Sequence, residues 1–225
     1  MLGRRITGTD NACLVSAGHA YLPKEVFENQ LHGRWRRRWF RRRLAREEKI
    51  TFVKTSQSKL AVTPKMYETE NDISKSSRLE LCALLNMRLA SLVDLQMQMK
   101  QAHWNVKGPS FIGLHELLDK VAEAVAEYVD LVAERISQLG GIAEGTVRVA
   151  SSRTRLPEYP LQIAEGMAHV EAVARALSTV GREARNTIDE VNALEDADTA
   201  DLFTEISRGM DKWLWFVEAH SQATK

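Results

Sequence analysis

Cysteine is almost absent from this chain, with two residues among 225. Cys13 and Cys82 can form no disulfide framework and have no metal-ligand spacing, so we expect a reducing cytoplasm and two unreactive thiols. Proline and glycine are also scarce, at 5 and 12 residues, which favours a largely helical protein. The chain lacks any run of about 18 apolar residues, and no apolar stretch follows its early arginines. We therefore expect neither a membrane span nor a signal peptide.

The net charge of +1 is the balance of two unlike parts. Residues 1–60 carry 14 Lys and Arg against 5 Asp and Glu, whereas residues 61–225 carry 17 against 25. A basic arm therefore precedes an acidic body. We expect residues 1–67 to be a disordered basic extension and residues 68–225 to be the folded domain.

Apolar residues at helical spacing predict four long helices in the folded domain. The predicted helices lie at 76–103, 108–140, 163–191 and 196–217. Glycine and proline residues mark the first two connections, of which the second is the longest, and capping residues at 196–199 mark the start of the fourth helix. Four helices joined by one long and two short connections describe an all-α four-helix bundle.

The second predicted helix carries the pattern that is most informative about function. His115/Asp119 and Asp130/Glu134 are two pairs at i,i+4 spacing, so each pair lies on one helix face. The pairs are 15 residues apart, or about 22 Å at the rise of an α-helix, which is too far for one metal ion. A second copy of the helix, running antiparallel, would bring Asp130/Glu134 of one chain against His115/Asp119 of the other. The result would be a two-fold dimer with two shared metal sites.

The acidic residues of this helix have a simpler interpretation as a solvated face. They are Glu116, Asp119, Glu123, Glu127, Asp130 and Glu134. Two features favour a metal site instead: the stripe has few basic partners, and His103 closes the preceding helix where it could project towards His115. Either histidine alone would be interpreted as a capping or packing residue. Histidine with carboxylates and open coordination positions suits divalent iron, whereas a structural zinc site would be expected to include cysteines.

Two other i,i+4 pairs are weaker candidates. Glu165/His169 has no second acid nearby and is expected to be a surface pair, and Asp211/Trp215 offers one carboxylate. The Glu-x-x-His spacing of di-iron carboxylate bundles occurs on none of the four predicted helices. An ordinary di-iron centre inside one bundle is therefore disfavoured, which again points to a site at an interface.

Three short motifs lie on the first two predicted helices. They are Gln101-Ala102-His103-Trp104-Asn105, His115-Glu116-x-Leu118-Asp119 and Asp130-x-x-Ala133-Glu134-Arg135. With Asp211-Lys212-x-Leu214-Trp215-Phe216 near the end, they resemble the starved-cell DNA-protection proteins (Dps), or miniferritins, over about residues 68–220. The resemblance implies a ferritin-like four-helix bundle with one long crossover loop. It also implies two-fold dimers assembled into a hollow shell of twelve subunits.

The resemblance further implies where the chemistry takes place. In this family each ferroxidase site takes two histidines and an aspartate from one subunit, and an aspartate and a glutamate from its partner. The matching residues are His103, His115 and Asp119, with Asp130 and Glu134 across the two-fold axis. Two irons per intersubunit site would be oxidised from Fe(II) to Fe(III), preferably by hydrogen peroxide. Ferric mineral would then be stored in the cavity.

Two tryptophans and three glutamates have secondary roles in this hypothesis. Trp104 follows a ligand and Trp215 matches a tryptophan that the family places near the site, so either could be a sink for stray oxidising equivalents. The alternative is that both pack in the core. The glutamates that we expect to face the cavity and help to nucleate mineral are Glu116, Glu123 and Glu127.

Eight arginines lie between residues 34 and 46, interleaved with aromatic residues. Such a segment binds DNA phosphates without reading sequence, and twelve copies would act together. The candidate DNA-binding residues are Arg36, Arg37, Arg38, Arg41, Arg42, Arg43, Lys54, Lys59 and Lys65. An anionic membrane surface would attract the same pattern. A different interpretation is that residues 1–50 come from translation upstream of the natural start, which would leave the three lysines as a modest basic tail.

The leading hypothesis is a cytoplasmic, nucleoid-associated ferroxidase that stores iron and shields DNA from oxidative damage. The alternative is a nucleoid-coating structural DNA-binding protein whose metal site is incidental. A third possibility is a bundle that binds no metal and whose acidic stripe is only solvated.

Overall fold

The computed structural model describes residues 65–222, and its helices in that range follow one another without an intervening strand. They are α1 (Lys75–Asn105), α2 (Phe111–Gln138), α3 (Val147–Arg153), α4 (Gly166–Asn192) and α5 (Ala197–Gln222). The long helices belong to one unit, Ala61–Lys225. The prediction of an all-α bundle with a long crossover is confirmed.

Side chains near the helix starts supply the hydrogen bonds that the first turns lack. Ser74 Oγ accepts the N–H of Ser77 at 3.1 Å where α1 begins. Asp196 Oδ1 accepts the N–H of Thr199 at 3.0 Å where α5 begins, as the capping residues in this segment predict. Each bond satisfies a backbone donor that a helix start would otherwise leave without a partner.

Glycines with positive φ lie in the turns before and after α2, and one backbone bond attaches the first of these turns to the rest of the bundle. Gly108, in the turn between the helices, has φ +108°, and Gly140, just after α2, has φ +83°. A Cβ on Gly140 would lie 2.6 Å from the carbonyl oxygen of Tyr67, so only glycine fits there. The N–H of Lys107 donates to the carbonyl of Ala164 at 2.9 Å. The hairpin turn is thereby attached to the segment that enters α4.

The bundle consists of two helix pairs, α1 with α2 and α4 with α5. The middle of α1 is buried around most of its circumference because α3 and α4 also pack against it. Its fully buried apolar residues include Leu81, Leu85, Leu89, Leu95 and Met99. Each such side chain contributes about 1.5–3 kcal/mol on burial, so this helix holds the bundle together. Between residues 65 and 222, no helix has both the length and the apolar character that a bilayer crossing requires.

The crossover between α2 and α4 contains α3, a helix that the sequence pattern does not predict. It lies over α1 and buries Ala150. Two contacts fasten this region: an ion pair of Arg153 with Glu144, and a hydrogen bond of 2.7 Å from Thr154 Oγ1 to Asp94 Oδ2. With 7 residues, α3 is too short to show an apolar period, and its conformation depends on these tertiary contacts.

The expectation that Glu165/His169 is a surface pair is wrong for His169. The side chain of His169 is 1% exposed, and its Nδ1 lies 2.6 Å from the hydroxyl of Tyr159 in the crossover. Burial raises the pKa of Tyr159 and lowers the pKa of His169, so a neutral phenol is hydrogen-bonded to a neutral imidazole. Spacing at i,i+4 identifies a shared helix face, but it does not reveal that the crossover covers that face.

Candidate metal centre

Two histidines face each other where α1 ends and α2 begins. Nδ1 of His103 lies 2.8 Å from the carbonyl oxygen of His115, and Nδ1 of His115 lies 2.9 Å from the carbonyl oxygen of His103. The two rings are stacked, with centroids 3.8 Å apart and planes inclined by 21°. Phe111 packs against the His115 ring at a centroid distance of 5.1 Å. The turn at Gly108 therefore makes one paired unit from two separate helix ends.

The end of α1 explains why the carbonyl of His103 is available. A helical carbonyl normally accepts the N–H four residues later, but the N–H of Lys107 donates to Ala164 instead. The imidazole of His115 supplies the missing donor. His115 thus caps the end of α1 through Nδ1, whereas the carbonyl that His103 bonds lies inside α2. In both rings the other nitrogen, Nε2, is left for a second role.

The reciprocal bonds fix the tautomer of both imidazoles. A carbonyl oxygen can only accept, so each Nδ1 must carry the proton and donate. In the neutral ring Nε2 then holds the lone pair, which is the form that binds a metal ion. A backbone carbonyl on the non-ligating nitrogen is a common way of orienting a metal-binding histidine. His103 and His115 therefore each offer one oriented Nε2 donor.

Asp119 lies one turn after His115 and beside His103, with its Oδ1 4.0 Å from Nδ1 of His103. The ammonium of Lys100 donates a hydrogen bond to the same oxygen. This bond is the main reason that the pKa of Asp119 lies below its usual range, and the neighbouring histidines act in the same direction. Asp119 is therefore an anionic ligand candidate at neutral pH.

Sequence reasoning did not identify Lys100 as part of this site. It lies three residues before His103, so both project from the same side of α1 towards α2. That spacing is the signal in the sequence, but a lysine among acids is more often a surface charge. The contact with Asp119 depends on how the two helices are aligned.

A surface hollow of about 330 Å³ opens over this group of residues. Its lining consists of His103, His115, Glu116, Asp119, Lys120 and Glu123. The donors are imidazole nitrogens and carboxylate oxygens, a mixed set that suits divalent first-row metals such as iron. The hollow has room for metal ions and a small oxidant.

Asp130 and Glu134 do not join this group within one chain. Both carboxylates are exposed on α2, about 22 Å further along the helix axis. In the range 65–222, neither side chain forms an ion pair or a hydrogen bond, and no three His, Cys, Asp or Glu residues are grouped to hold a metal ion. One chain therefore presents two separate halves of the predicted ligand set.

The tryptophans are not core residues, so the packing interpretation is wrong for both. Trp104 is 60% exposed beside His103, and Trp215 is 62% exposed on α5. The Trp215 ring contacts Phe216, at a centroid distance of 4.9 Å. The role of both tryptophans as a sink for oxidising equivalents stays a prediction.

The remaining candidates are distributed as follows. Glu116 and Glu123 line the hollow, and Glu127 is exposed one turn further along α2. Lys65 is exposed, with its ammonium 4.6 Å from the ring centroid of Tyr67. The other candidate DNA-binding residues lie outside the described residues; they are Arg36, Arg37, Arg38, Arg41, Arg42, Arg43, Lys54 and Lys59.

Comparison with known proteins gives consistent matches for the sequence and the fold. The family model of the ferritin-like domain matches residues 82–225. The DNA protection during starvation protein of Agrobacterium fabrum is 42% identical over 158 residues, which are 70% of this chain and 98% of that protein.

Two solved structures share this fold. DpsA14 from Streptomyces coelicolor has a TM-score of 0.66 at 35% identity, covering 70% of this chain and 92% of that chain. The tetragonal form of Mycobacterium smegmatis Dps has a TM-score of 0.65 at 32% identity, covering 68% of this chain and 94% of that chain.

Proposed function

The chain belongs to the ferritin-like family, among the Dps proteins, and from this membership we propose that it oxidises Fe(II), stores the ferric product and protects DNA. The observation that carries the proposal is the reciprocally bonded pair His103 and His115: Nδ1 of each ring donates to a carbonyl, so Nε2 carries the lone pair, and both residues line a hollow together with carboxylates. Iron storage and DNA protection are the general role of the family. The ligands, the oxidant and the assembly are the specific parts of the proposal.

We assign the ferroxidase site to two subunits. His103, His115 and Asp119 are the ligands from one subunit, and Asp130 and Glu134 of the partner subunit complete the set. The exposure of both acids and their distance from the histidines support this assignment. Because a two-fold axis relates identical surfaces, an antiparallel pair of α2 helices closes two equal sites at once. Exposed Trp104 beside His103 fits a surface that a partner subunit covers.

The substrates are Fe(II) and hydrogen peroxide. Two Fe(II) ions at one site supply both electrons that peroxide needs, so the O–O bond breaks and two water molecules form with the uptake of two protons. Both ions become Fe(III). Because the two electrons are delivered together, no hydroxyl radical is released. The carboxylates compensate the charge that accumulates on the metal ions, which is the usual contribution of such ligands.

Storage and DNA protection require the assembled protein. We propose a dodecameric shell whose cavity receives the ferric mineral, with Glu116, Glu123 and Glu127 helping to nucleate it. The basic residues before α1 would bind DNA phosphates without sequence preference in the cytoplasm, at the nucleoid. The name of the Agrobacterium relative, a DNA protection during starvation protein, supports this part of the proposal.

Mixed assemblies of two inactive variants test the shared site. His103→Ala/His115→Ala and Asp130→Ala/Glu134→Ala should each lose Fe(II) oxidation by peroxide in stopped-flow absorbance. When the two chains are co-expressed, each mixed dimer contains one site with all five ligands intact, so oxidation should return in part. A site within one chain would give no recovery.

Asp201→Ala is the control, because Asp201 is an exposed acid on α5 to which no role in iron binding or storage is assigned. It should oxidise iron at the wild-type rate. If the Asp130/Glu134 variant with an intact shell is as fast as this control, the ligand assignment is wrong. If the protein only coats the nucleoid and its metal site is incidental, the Asp130/Glu134 variant and the control should likewise not differ in iron oxidation.

A further inference from the structure

Lys100 and Asp119 form the one contact between a cation and an assigned ligand in the described part of the chain. The lysine projects from α1 and the aspartate from α2, so their contact spans the hairpin beside His103. The two side chains are 32% and 37% exposed, so solvent screens the pair only in part. The contact engages Oδ1, the oxygen that also lies 4.0 Å from the His103 ring.

The geometry points to Lys100 as a positioning residue that holds Asp119 in the metal-free site and must release it before a second metal ion binds. This inference rests on the proposed role of Asp119 as a ligand. An ammonium and a divalent cation compete for one carboxylate oxygen, because their charges repel each other. Loading is therefore ordered: metal binds first where Lys100 does not interfere, and Asp119 is engaged last.

The arrangement also explains how acids can be held close together without metal. Glu116, Asp119 and Glu123 line one hollow, and an ammonium on Asp119 reduces their mutual repulsion. Lys120 lines the same hollow, yet within residues 65–222 it makes no contact with Asp119. Lys120 is therefore a matched control for the general effect of a nearby positive charge.

The test is equilibrium binding of Co(II) to the full-length protein, followed by calorimetry and by visible absorbance, which reports the ligands of Co(II). The neutral variants are Lys100→Met and Lys100→Gln, and Lys100→Arg keeps the charge. In the neutral variants the more weakly bound of the two Co(II) ions should bind about threefold to tenfold more tightly. This is the gain expected when a partly exposed ion pair no longer competes with the metal ion for Asp119. Lys100→Arg should remain close to wild type, and Lys120→Met should change the affinity less than twofold.

Unchanged affinity in both neutral variants would overturn the inference. An equal gain in Lys120→Met would overturn it too, because the effect would then be one of general charge. Asp119→Asn separates this result from a failure of the proposed function. If Asp119→Asn binds both Co(II) ions like wild type, Asp119 is not a ligand; if it loses the weaker ion while the Lys100 variants stay unchanged, only the role of Lys100 is wrong.

Discussion

His169 differs from the histidines of the candidate metal centre in how its ring is satisfied. His103 and His115 donate to backbone carbonyls at the edge of a hollow, whereas His169 is hydrogen-bonded to the hydroxyl of Tyr159 inside the bundle. Burial is the main cause that lowers the pKa of His169 from its ordinary value of 6.5. At the scale of single residues, His103 and His115 thus belong to a site that is open to ligands, whereas His169 attaches the crossover to α4 through Tyr159.

Acidification should destabilise the protein through His169. Below about pH 6.5 the unfolded chain protonates this side chain, whereas the folded chain keeps it neutral to lower pH. The unfolded state then binds more protons, so the free energy of unfolding falls as pH decreases, by at most about 1.4 kcal/mol per pH unit. Urea unfolding at pH 7.5 and 5.5 should show a smaller loss in His169→Gln than in wild type.

Tyr159→Phe is the control for this effect. It removes the hydroxyl partner but keeps a buried imidazole, so its pH dependence should remain close to that of wild type. Equal losses in His169→Gln and wild type would contradict the assignment of the effect to His169.

At the scale of helices, the sequence predicts the long helices but neither the short helix α3 nor the contacts that α1 and α2 make at the site. The helices α2, α4 and α5 are predictable because each repeats an apolar face over 26 to 28 residues. The helix α1 has no single apolar face, but its leucines recur at helical spacing over much of its 31 residues. The short helix α3 is not predictable, because 7 residues show no period and its conformation depends on contacts with α1. For the site, the turn at Gly108 predicts that His103 and His115 approach each other. Their reciprocal bonds and the Lys100 contact could not be predicted, since both depend on the rotation and alignment of α1 against α2.

The contact between α2 and α5 depends on a glycine. At Gly209 an added Cβ would lie 2.8 Å from Cζ of Tyr128, so either the tyrosine ring or the two helices would have to move. Gly209→Ala should therefore lower the free energy of unfolding by about 1–3 kcal/mol, as overpacking typically does. Thermal and urea unfolding measure the change.

Gly113 provides the opposite case on α2. A Cβ there meets nothing within 4 Å, so Gly113→Ala should raise the free energy of unfolding by about 0.5–1 kcal/mol through reduced backbone entropy. If Gly209→Ala is as stable as Gly113→Ala, Tyr128 does not constrain the approach of the helices.

At the scale of the whole molecule, charge divides the chain into a basic arm and an acidic body. In a shell of twelve subunits the arms would bind DNA together, so that many weak contacts with phosphate would sum to strong retention of DNA. A version starting at residue 66 should release DNA in gel-shift experiments that retain the full-length protein. Retention should also fall steeply with salt, because bound arms release counterions.

Iron oxidation provides the control for the shortened chain, which should keep the wild-type rate because all the assigned ligands lie at or after His103. Unchanged DNA retention would show that the arm does not bind DNA. Loss of both activities would instead indicate that the arm contributes to assembly.

The separation of the acid pair from the histidines along α2 has a consequence for the life of the protein in the cell. Under the proposed arrangement a newly made chain carries only half of each site, and it can acquire chemical activity only by pairing. Iron would be oxidised where assembly has begun to enclose a space for the product, rather than on free chains. Assembly would then control activity, because iron oxidation could begin only in subunits that also enclose the storage cavity.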